Sequence, residues 1–229
     1  MVHFTLFGIP VYIRPSFWVV LAIFGGALSI SSVEDLIYPA LFVIAGFVAI
    51  LSHEMGHALV GRKLGGGQQT IVLELFGGLT SSHGMQLTRG GRALMILAGP
   101  MMTLLLGIIS LGLTWNIVAP VMTSYNLNFW DLAISPFTAA LISPKLYILS
   151  CLIMIGEWWT ILNLLPIYPL DGGQLIAQYI RSPRKVFMTG FITAILIGLL
   201  SFQLFHGYFI PIFMALFAYS NYREYKNAP

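Results

Sequence analysis

Long runs of apolar residues recur from one end of this chain to the other, separated by short stretches rich in polar residues, glycine and proline. A helix needs about 20 mostly apolar residues to cross a bilayer. Six runs come close to that length, the third being long and the last short, and they cover residues 16–31, 39–61, 92–118, 146–165, 186–205 and 208–222. The pattern predicts an all-α polytopic membrane protein with about six transmembrane helices, folded as a single membrane-embedded domain over residues 1–229.

The composition supports a protein whose solvent is the bilayer. Of its 229 residues, 58% are hydrophobic and 8% are charged, whereas an ordinary soluble domain carries about 25% charge. Apolar runs that continue to the C-terminus argue against a signal peptide followed by a soluble domain, and we expect no PDZ-like or other appended domain. The single cysteine, Cys151, excludes an internal disulfide and a cysteine-based metal site.

Lysine and arginine are distributed unevenly between the two ends of the predicted spans. With six spans, ten of the eleven basic residues fall on one side and only Lys145 falls on the other. Because cytoplasmic loops retain positive charge, we expect both termini and the loop 62–92 to be cytoplasmic, in a cell membrane that we expect to be prokaryotic. Basic residues at the ends of apolar runs are orientation signals, so no nucleic-acid partner is implied.

Two stretches do not fit membrane-spanning helices. Residues 68–82 are β-rich with a turn at Gly77 and Gly78, which predicts a small hairpin or sheet on the cytoplasmic side. Residues 119–145 mix three prolines with aromatic residues, which is typical of an interfacial loop or a short surface helix.

The sequence His53-Glu54-Met55-Gly56-His57 is an HExxH motif at the end of an apolar run. On a helix, residues four apart face the same way, so both imidazoles can reach one ion, and zinc favours this arrangement. Glu54 stands beside the ligands, where it can take a proton from water that the metal activates. Histidine and glutamate are costly inside a membrane, so we interpret the motif as a functional site.

A catalytic zinc normally has three protein ligands, and the acidic candidates for the third are Asp171 and Glu157. Asp171 lies in a segment, residues 163–173, in which two prolines and two glycines interrupt the helix. At about 1.5 Å per residue, Asp171 and His53 lie at similar distances from the basic residues that flank the membrane. Glu157 lies more than a helical turn farther away, and a site that uses it stays an alternative.

HEMGH in an early span, followed about 110 residues later by NLLPIYPLDGG, resembles the site-2 protease family of intramembrane zinc metalloproteases. FGIPV and RPSF near the N-terminus, LFGG at residues 75–78 and AGP at residues 98–100 also resemble segments of that family. The resemblance implies one zinc ion and a catalytic glutamate, Glu54. It further implies that Asn163 contributes to substrate or oxyanion binding, and that the zinc ligands are His53, His57 and Asp171.

The function implied by this resemblance is hydrolysis of peptide bonds within or near transmembrane segments, as in regulated intramembrane proteolysis. The substrate would be a single-pass membrane protein in the bilayer, with control coming from the membrane core or from a separate regulatory protein. An extended substrate needs a template, and strand 70–76 is predicted to be the edge that adds it by β-augmentation. The substrate contacts predicted in this region are Val72, Glu74, Gly77 and Gly78.

The chain departs from the family pattern at two positions where relatives often carry Asn. Thr103 stands three residues after the Gly-Pro pair, and Gly156-Glu157 stands about two turns before Asn163. Three other functions stay open: a transporter or metal carrier, a different HExxH protease with Glu157 as third ligand, and an inactive scaffold. No internal repeat of the transporter kind is present, and a carrier has no need of a base such as Glu54.

Overall fold

The computed structural model describes residues 1–75, 77–125, 130, 133 and 135–228, and it leaves out the side chains of 120–125, 205 and 209. Predictions that concern Phe76 and most of the loop 126–134 lie outside the described residues. The helices are α1 (Pro15–Phe24), α2 (Ile37–Gly65), α3 (Arg89–Tyr125), α4 (Pro136–Ala140), α5 (Pro144–Leu164), α6 (Asp171–Ala177), α7 (Pro183–Phe205) and α8 (Phe209–Asn227). The strands are β1 (Val2–Leu6), β2 (Ile9–Ile13), β3 (Gln68–Glu74) and β4 (Gly77–His83).

The prediction of a mostly helical membrane protein is confirmed. Among the described residues, four helices are long and apolar enough to cross a bilayer: Glu34–Gly65, Arg89–Ala119, Pro144–Leu164 and Pro183–Leu204. They coincide with the second to fifth predicted runs. The first and last runs correspond to α1, which has 10 residues, and to α8, which has 19 and ends in charged residues. A count of six spans therefore stays a prediction.

Helix α1 is shorter than the run 16–31 because two glycines follow it. Gly26 adopts a φ of 86°, which glycine reaches without strain but which does not continue a helix. Gly25 lies against α2, where a Cβ atom would stand 3.0 Å from Cβ of Phe42. The apolar pattern predicted a helix over the whole run, but the glycines end α1 where it contacts α2.

The β-rich stretch 68–82 folds as the β3–β4 hairpin, as predicted, but it belongs to a larger sheet. The strand order is β1-β2-β3-β4. β1 and β2 form an antiparallel hairpin that turns at Phe7 and Gly8, and β2 pairs in parallel with β3 through Val11 and Ile71. A parallel pair needs a long crossover connection, and α1 and α2 supply it here.

Strand β3 is consequently an inner strand. Residues 71–73 pair with β2, and residues 68–74 pair with β4. The prediction that strand 70–76 offers a free edge to a substrate is therefore wrong, because both of its sides are occupied. Within the described part of the chain, β1 and β4 are the outer strands.

The chain divides into two units, the N-terminal unit Met1–Thr160 and the C-terminal unit Ile161–Pro229. In the N-terminal unit, the sheet and α1 pack on α2, the helix that carries the HExxH motif, through buried residues that include Val11, Ile71, Phe17 and Ile50. In the C-terminal unit, the turn between α5 and α6 packs on α7 and α8 through Ile167, Ala194, Met214 and Ala218. The organisation of residues 1–229 as a single domain stays a prediction.

Candidate metal and catalytic site

The two histidines of the motif lie next to each other on the buried side of α2, as the spacing predicts. His53 is 2% exposed and His57 is 9% exposed, and their Nε2 atoms lie 3.1 Å apart. Two nitrogens that bind one tetrahedral zinc ion at 2.0–2.1 Å stand about 3.3 Å apart. The pair therefore fits two ligands of a zinc ion.

Helix α3 sets the orientation of the His57 ring. Nδ1 of His57 lies 2.8 Å from the carbonyl oxygen of Met95. Because a carbonyl oxygen can only accept, Nδ1 carries the proton and Nε2 keeps its lone pair for a ligand. Metal-binding histidines usually have such a hydrogen bond, which fixes the tautomer.

The close approach of α3 to the histidines depends on Gly99. A Cβ atom at Gly99 would overlap Nε2 of His57 and would lie 2.9 Å from Nε2 of His53. Gly56, between the two histidines, has the reciprocal role, since a Cβ atom there would overlap the carbonyl group of Ala98. Small residues allow two helix backbones in a membrane to approach closely, and here they bring α3 against the two histidines.

Glu54 lies beside the histidines on α2 and contacts strand β4. It is 5% exposed, and the Thr80 hydroxyl donates a hydrogen bond to its Oε2 at 2.7 Å. Gly78 lies on the same face of β4 as Thr80, because side chains two apart on a strand point the same way. A Cβ atom at Gly78 would lie 2.6 Å from Oε1 of Glu54. Strand β4 thus makes room for the carboxylate and holds it by a hydrogen bond.

Sequence reasoning did not identify Thr80. The period of two on a strand relates Thr80 to Gly78, so the two residues could have been grouped from the sequence. The contact between Thr80 and Glu54 also requires that this face of β4 packs on α2. That choice of face depends on the packing of the whole sheet.

In the C-terminal unit, Asp171 is the first residue of α6 and follows the predicted break. Helix α5 ends at Leu164, and α6 starts after an extended Leu170 with a ψ of 160°. Asp171 is 6% exposed. A carboxylate buried to this degree needs a metal or hydrogen-bond donors to stabilise it, so the burial of Asp171 is compatible with its predicted role as a metal ligand.

The two glycines after Asp171 allow the break to fold compactly. A Cβ atom at Gly172 would overlap the carbonyl oxygens of Leu164 and Leu165, and one at Gly173 would overlap the backbone of Ile167. The prolines end the preceding helix, and the glycines let the next helix start against it.

Glu157 has a different environment, because it is exposed on α5. Its neighbour Gly156 packs against α3, where a Cβ atom would lie 2.9 Å from the carbonyl oxygen of Thr103. The hydroxyl groups of Thr103 and Thr160 lie 2.9 Å apart, and Thr160 also donates to the carbonyl of Pro100 at 3.2 Å. The two departures from the family pattern are therefore neighbours at one contact between α3 and α5.

The predicted substrate contacts lie on three elements. Val72 and Glu74 are on the inner strand β3, and Glu74 forms an ion pair with Arg14 at 2.7 Å, with both side chains substantially exposed. Asn163 is the penultimate residue of α5 and is half-buried.

The other two predicted contacts, Gly77 and Gly78, begin β4, and each has a packing role. Gly78 lies against Glu54, and Gly77 lies against the indole of Trp159, where a Cβ atom would stand 2.8 Å from the ring. Their lack of a side chain is thus explained by close contacts within the N-terminal unit.

Residues 41–205 match the profile of peptidase family M50. The matched segment runs from α2 to α7 and contains the HExxH motif and the break that precedes Asp171. The chain therefore belongs to peptidase family M50, the site-2 protease family that its motifs resemble. Family membership and the long apolar helices together make it a membrane protein.

Comparison with individual proteins gives the same class. A zinc metalloprotease of Methanocaldococcus jannaschii is 29% identical over 227 residues, which cover 94% of this chain and 57% of that protein. A candidate zinc metalloprotease of Synechocystis is 28% identical over 188 residues, covering 77% of this chain and 43% of that protein. The chain thus spans about half the length of these relatives.

The fold is confirmed by a solved structure. The site-2 protease from Methanocaldococcus jannaschii superposes with a TM-score of 0.61 and 24% identity, covering 98% of this chain and 94% of that one.

Proposed function

We propose that this chain is an intramembrane zinc metalloprotease of the site-2 type, which hydrolyses peptide bonds within or near transmembrane segments of membrane proteins. The observation that carries the proposal is the arrangement of three residues on α2. The carboxylate of Glu54 accepts a hydrogen bond from Thr80, and on the same helix the Nε2 atoms of His53 and His57 lie side by side. Membership of peptidase family M50 supports it.

We propose that His53, His57 and Asp171 hold one zinc ion per chain. All three are buried, and each offers one ligand atom. Two histidines and one carboxylate form a donor set that catalytic zinc sites use. When bound, zinc acts as a Lewis acid on the scissile carbonyl and makes water a nucleophile at neutral pH.

Glu54 is the proposed general base and acid. Its carboxylate accepts a proton from the attacking water and passes it to the nitrogen of the departing amine. Because Thr80 donates to Oε2, the carboxylate keeps one orientation throughout. Asn163 is proposed to donate a hydrogen bond to the oxyanion that develops on the substrate carbonyl.

The substrate is proposed to bind in an extended conformation along the outer edge of β4. A peptide bond inside a helix is shielded by the helix hydrogen bonds, so the substrate must unwind before water can attack it. Added strands bind through main-chain hydrogen bonds, which explains how different sequences could be accepted. Within the described residues β4 pairs with β3 alone. Of the predicted substrate contacts, Gly77 and Gly78 lie on β4 itself, whereas Val72 and Glu74 lie on β3 and would reach the substrate only with their side chains.

Regulated proteolysis of a single-pass substrate, with entry controlled by a separate protein, is the proposed physiological setting. Two rival functions make different demands on Glu54. A metal carrier or an inactive scaffold has no use for a base beside the ligands, whereas a protease loses its chemistry without one.

The test is co-expression of single-pass membrane proteins with the wild-type chain and with Glu54→Gln, followed by mapping of the fragments by mass spectrometry. We expect the wild type to cut within or near the apolar segment and Glu54→Gln to be inactive, because an amide cannot accept the proton. We expect zinc content to be the same in both, because Gln is nearly isosteric with Glu. Cleavage by Glu54→Gln would exclude this mechanism.

A further inference from the structure

We propose that Asn221, in the last helix α8, is a positioning residue that holds the turn before Asp171 and thereby fixes the carboxylate for metal binding. The inference rests on the proposed role of Asp171 as a zinc ligand. All of the contacts that carry it lie within the C-terminal unit, and Asn221 lies outside the segment 41–205 that matches the family profile.

Asn221 is a buried polar residue that makes one hydrogen bond to a distant part of the chain. It is 1% exposed. Its Nδ2 donates to the carbonyl oxygen of Phe217, one turn earlier on α8, at 2.9 Å, and to the carbonyl oxygen of Tyr168 at 2.6 Å. Since both partners can only accept, the amide nitrogen must face them. Burying an amide nitrogen is costly unless it donates hydrogen bonds, and here Nδ2 donates both to its own helix and to Tyr168, which joins α8 to the turn.

The acceptor belongs to the irregular backbone that presents Asp171. Tyr168 lies three residues before Asp171, between Pro166 and Pro169, and prolines have no N–H group to donate. The turn also makes internal hydrogen bonds, from Ile167 N–H to Leu165 O at 2.7 Å and from Leu170 N–H to Ile167 O at 2.8 Å. Irregular backbone at membrane depth needs donors from elsewhere in the protein, and Asn221 supplies one to the carbonyl of Tyr168.

Helix α7 is shaped to allow this contact. A Cβ atom at Gly190 would overlap Oδ1 of Asn221 and would lie 3.3 Å from Cα of Ile167. Gly190 therefore permits α7, α8 and the turn to meet at one point. The ring of Tyr168 also packs edge-on against Phe187 of α7, with the centroids 5.5 Å apart.

The hydrogen bond from Asn221 to the turn should affect metal binding through the position of the Asp171 carboxylate. A ligand must be held within about 0.5 Å of its productive position by the residues that support it. A turn tied at Tyr168 leaves little freedom to the next three residues, because Leu170 N–H and Gln174 N–H already bond within the turn and the start of α6. Loss of the Asn221 amide should therefore loosen Asp171 without removing any ligand.

The experiment compares zinc affinity and thermal unfolding of the full chain in detergent for wild type, Asn221→Leu, Ser201→Ala and Asp171→Asn. Leu has the same branched arrangement of four side-chain heavy atoms as Asn, and it has no hydrogen-bond donor. Ser201 is a matched control, because it is buried in the same unit and donates only to its own helix, at Gly198 O. Zinc affinity is measured by competition with a chelator, and unfolding is measured with and without zinc.

We expect Asn221→Leu to lower zinc affinity about tenfold, the lower end of the effect of outer-shell partners, with Ser201→Ala unchanged. We expect the metal-free forms of these two variants to unfold at similar temperatures. Equal zinc affinity in Asn221→Leu and wild type would overturn the positioning role. If Asn221→Leu does not fold, Asn221→Ala is measured in the same way and decides the question.

The Asp171→Asn variant distinguishes a failure of the positioning role of Asn221 from a failure of the assignment of Asp171 as a zinc ligand. If this variant loses affinity and Asn221→Leu does not, the positioning role is wrong and the ligand assignment stands. If Asp171→Asn binds zinc as tightly as wild type, the ligand assignment fails, and the inference about Asn221 fails with it.

Discussion

Replacement of Gly99 by alanine tests the contact between α3 and the histidine pair. The new Cβ atom would lie 2.9 Å from Nε2 of His53 and would overlap Nε2 of His57. Ordinary contact begins near 3.4 Å, so the His53 ring must move by about 0.5 Å and the His57 ring by more. Metal–ligand distances tolerate only about 0.2 Å, so both histidines would leave the positions in which they could bind one metal ion.

The effect should fall on metal binding more than on folding. Alanine in place of a helical glycine gains about 0.8–1 kcal/mol, and an overpacked core loses about 1–3 kcal/mol. The free energy of unfolding of the metal-free protein should therefore fall by about 0–2 kcal/mol. Zinc affinity should fall at least about tenfold. Mutation of residues that only support the ligands already lowers metal affinity by about that much, and displacement of the ligands themselves should lower it no less.

Gly112→Ala is the matched control, since Gly112 lies on the same helix and a Cβ atom there would have no neighbour within 4 Å. Zinc affinity is measured by chelator competition on both variants and the wild type. We expect Gly112→Ala to bind zinc like the wild type. If Gly99→Ala also did so, α3 could not lie against the histidines as described.

Three further outcomes follow from the site and the topology. Thr80→Val should lower the turnover number about tenfold or more while zinc content stays constant, because a hydrogen bond to a charged group contributes about 1.5–3 kcal/mol. Thr80→Ser keeps the hydroxyl and should have a turnover number close to that of the wild type. Equal turnover in the Val and Ser variants would contradict the role of the hydroxyl. Asp171→Asn should lose zinc and activity, whereas Glu157→Gln should keep the metal, and the reverse result would make Glu157 the ligand. Reporter fusions should place both termini and the loop 62–92 in the cytoplasm, and an external signal from residues 68–82 would refute the predicted orientation.

The parts of this protein that could be predicted from sequence are those that depend on neighbouring residues. Helical geometry alone puts His53 and His57 on one face, and their Nε2 atoms are 3.1 Å apart. Prolines and glycines ended α5 before Asp171, as expected from the backbone restrictions of those residues. The hairpin β3–β4 also follows from local β-propensity and a glycine turn.

The errors concern contacts between segments that are far apart in the chain. The pairing of β2 with β3 joins Val11 to Ile71 and turns a predicted edge strand into an inner one. Nothing in residues 68–82 indicates this, because the partner strand lies before two helices. Likewise, the run 16–31 has the composition of a span, but α1 ends at Phe24 beside α2.

The sequence by itself determined the relative placement of His53, Glu54 and His57, the residues proposed to carry the chemistry, because spacing on a helix is a property of the helix. Tertiary structure alone decided which residues support them: Thr80 at Glu54, Gly99 at the histidines, and Asn221 at the turn before Asp171. These contacts join elements whose relative position is set by the packing of many side chains, and no local pattern encodes it.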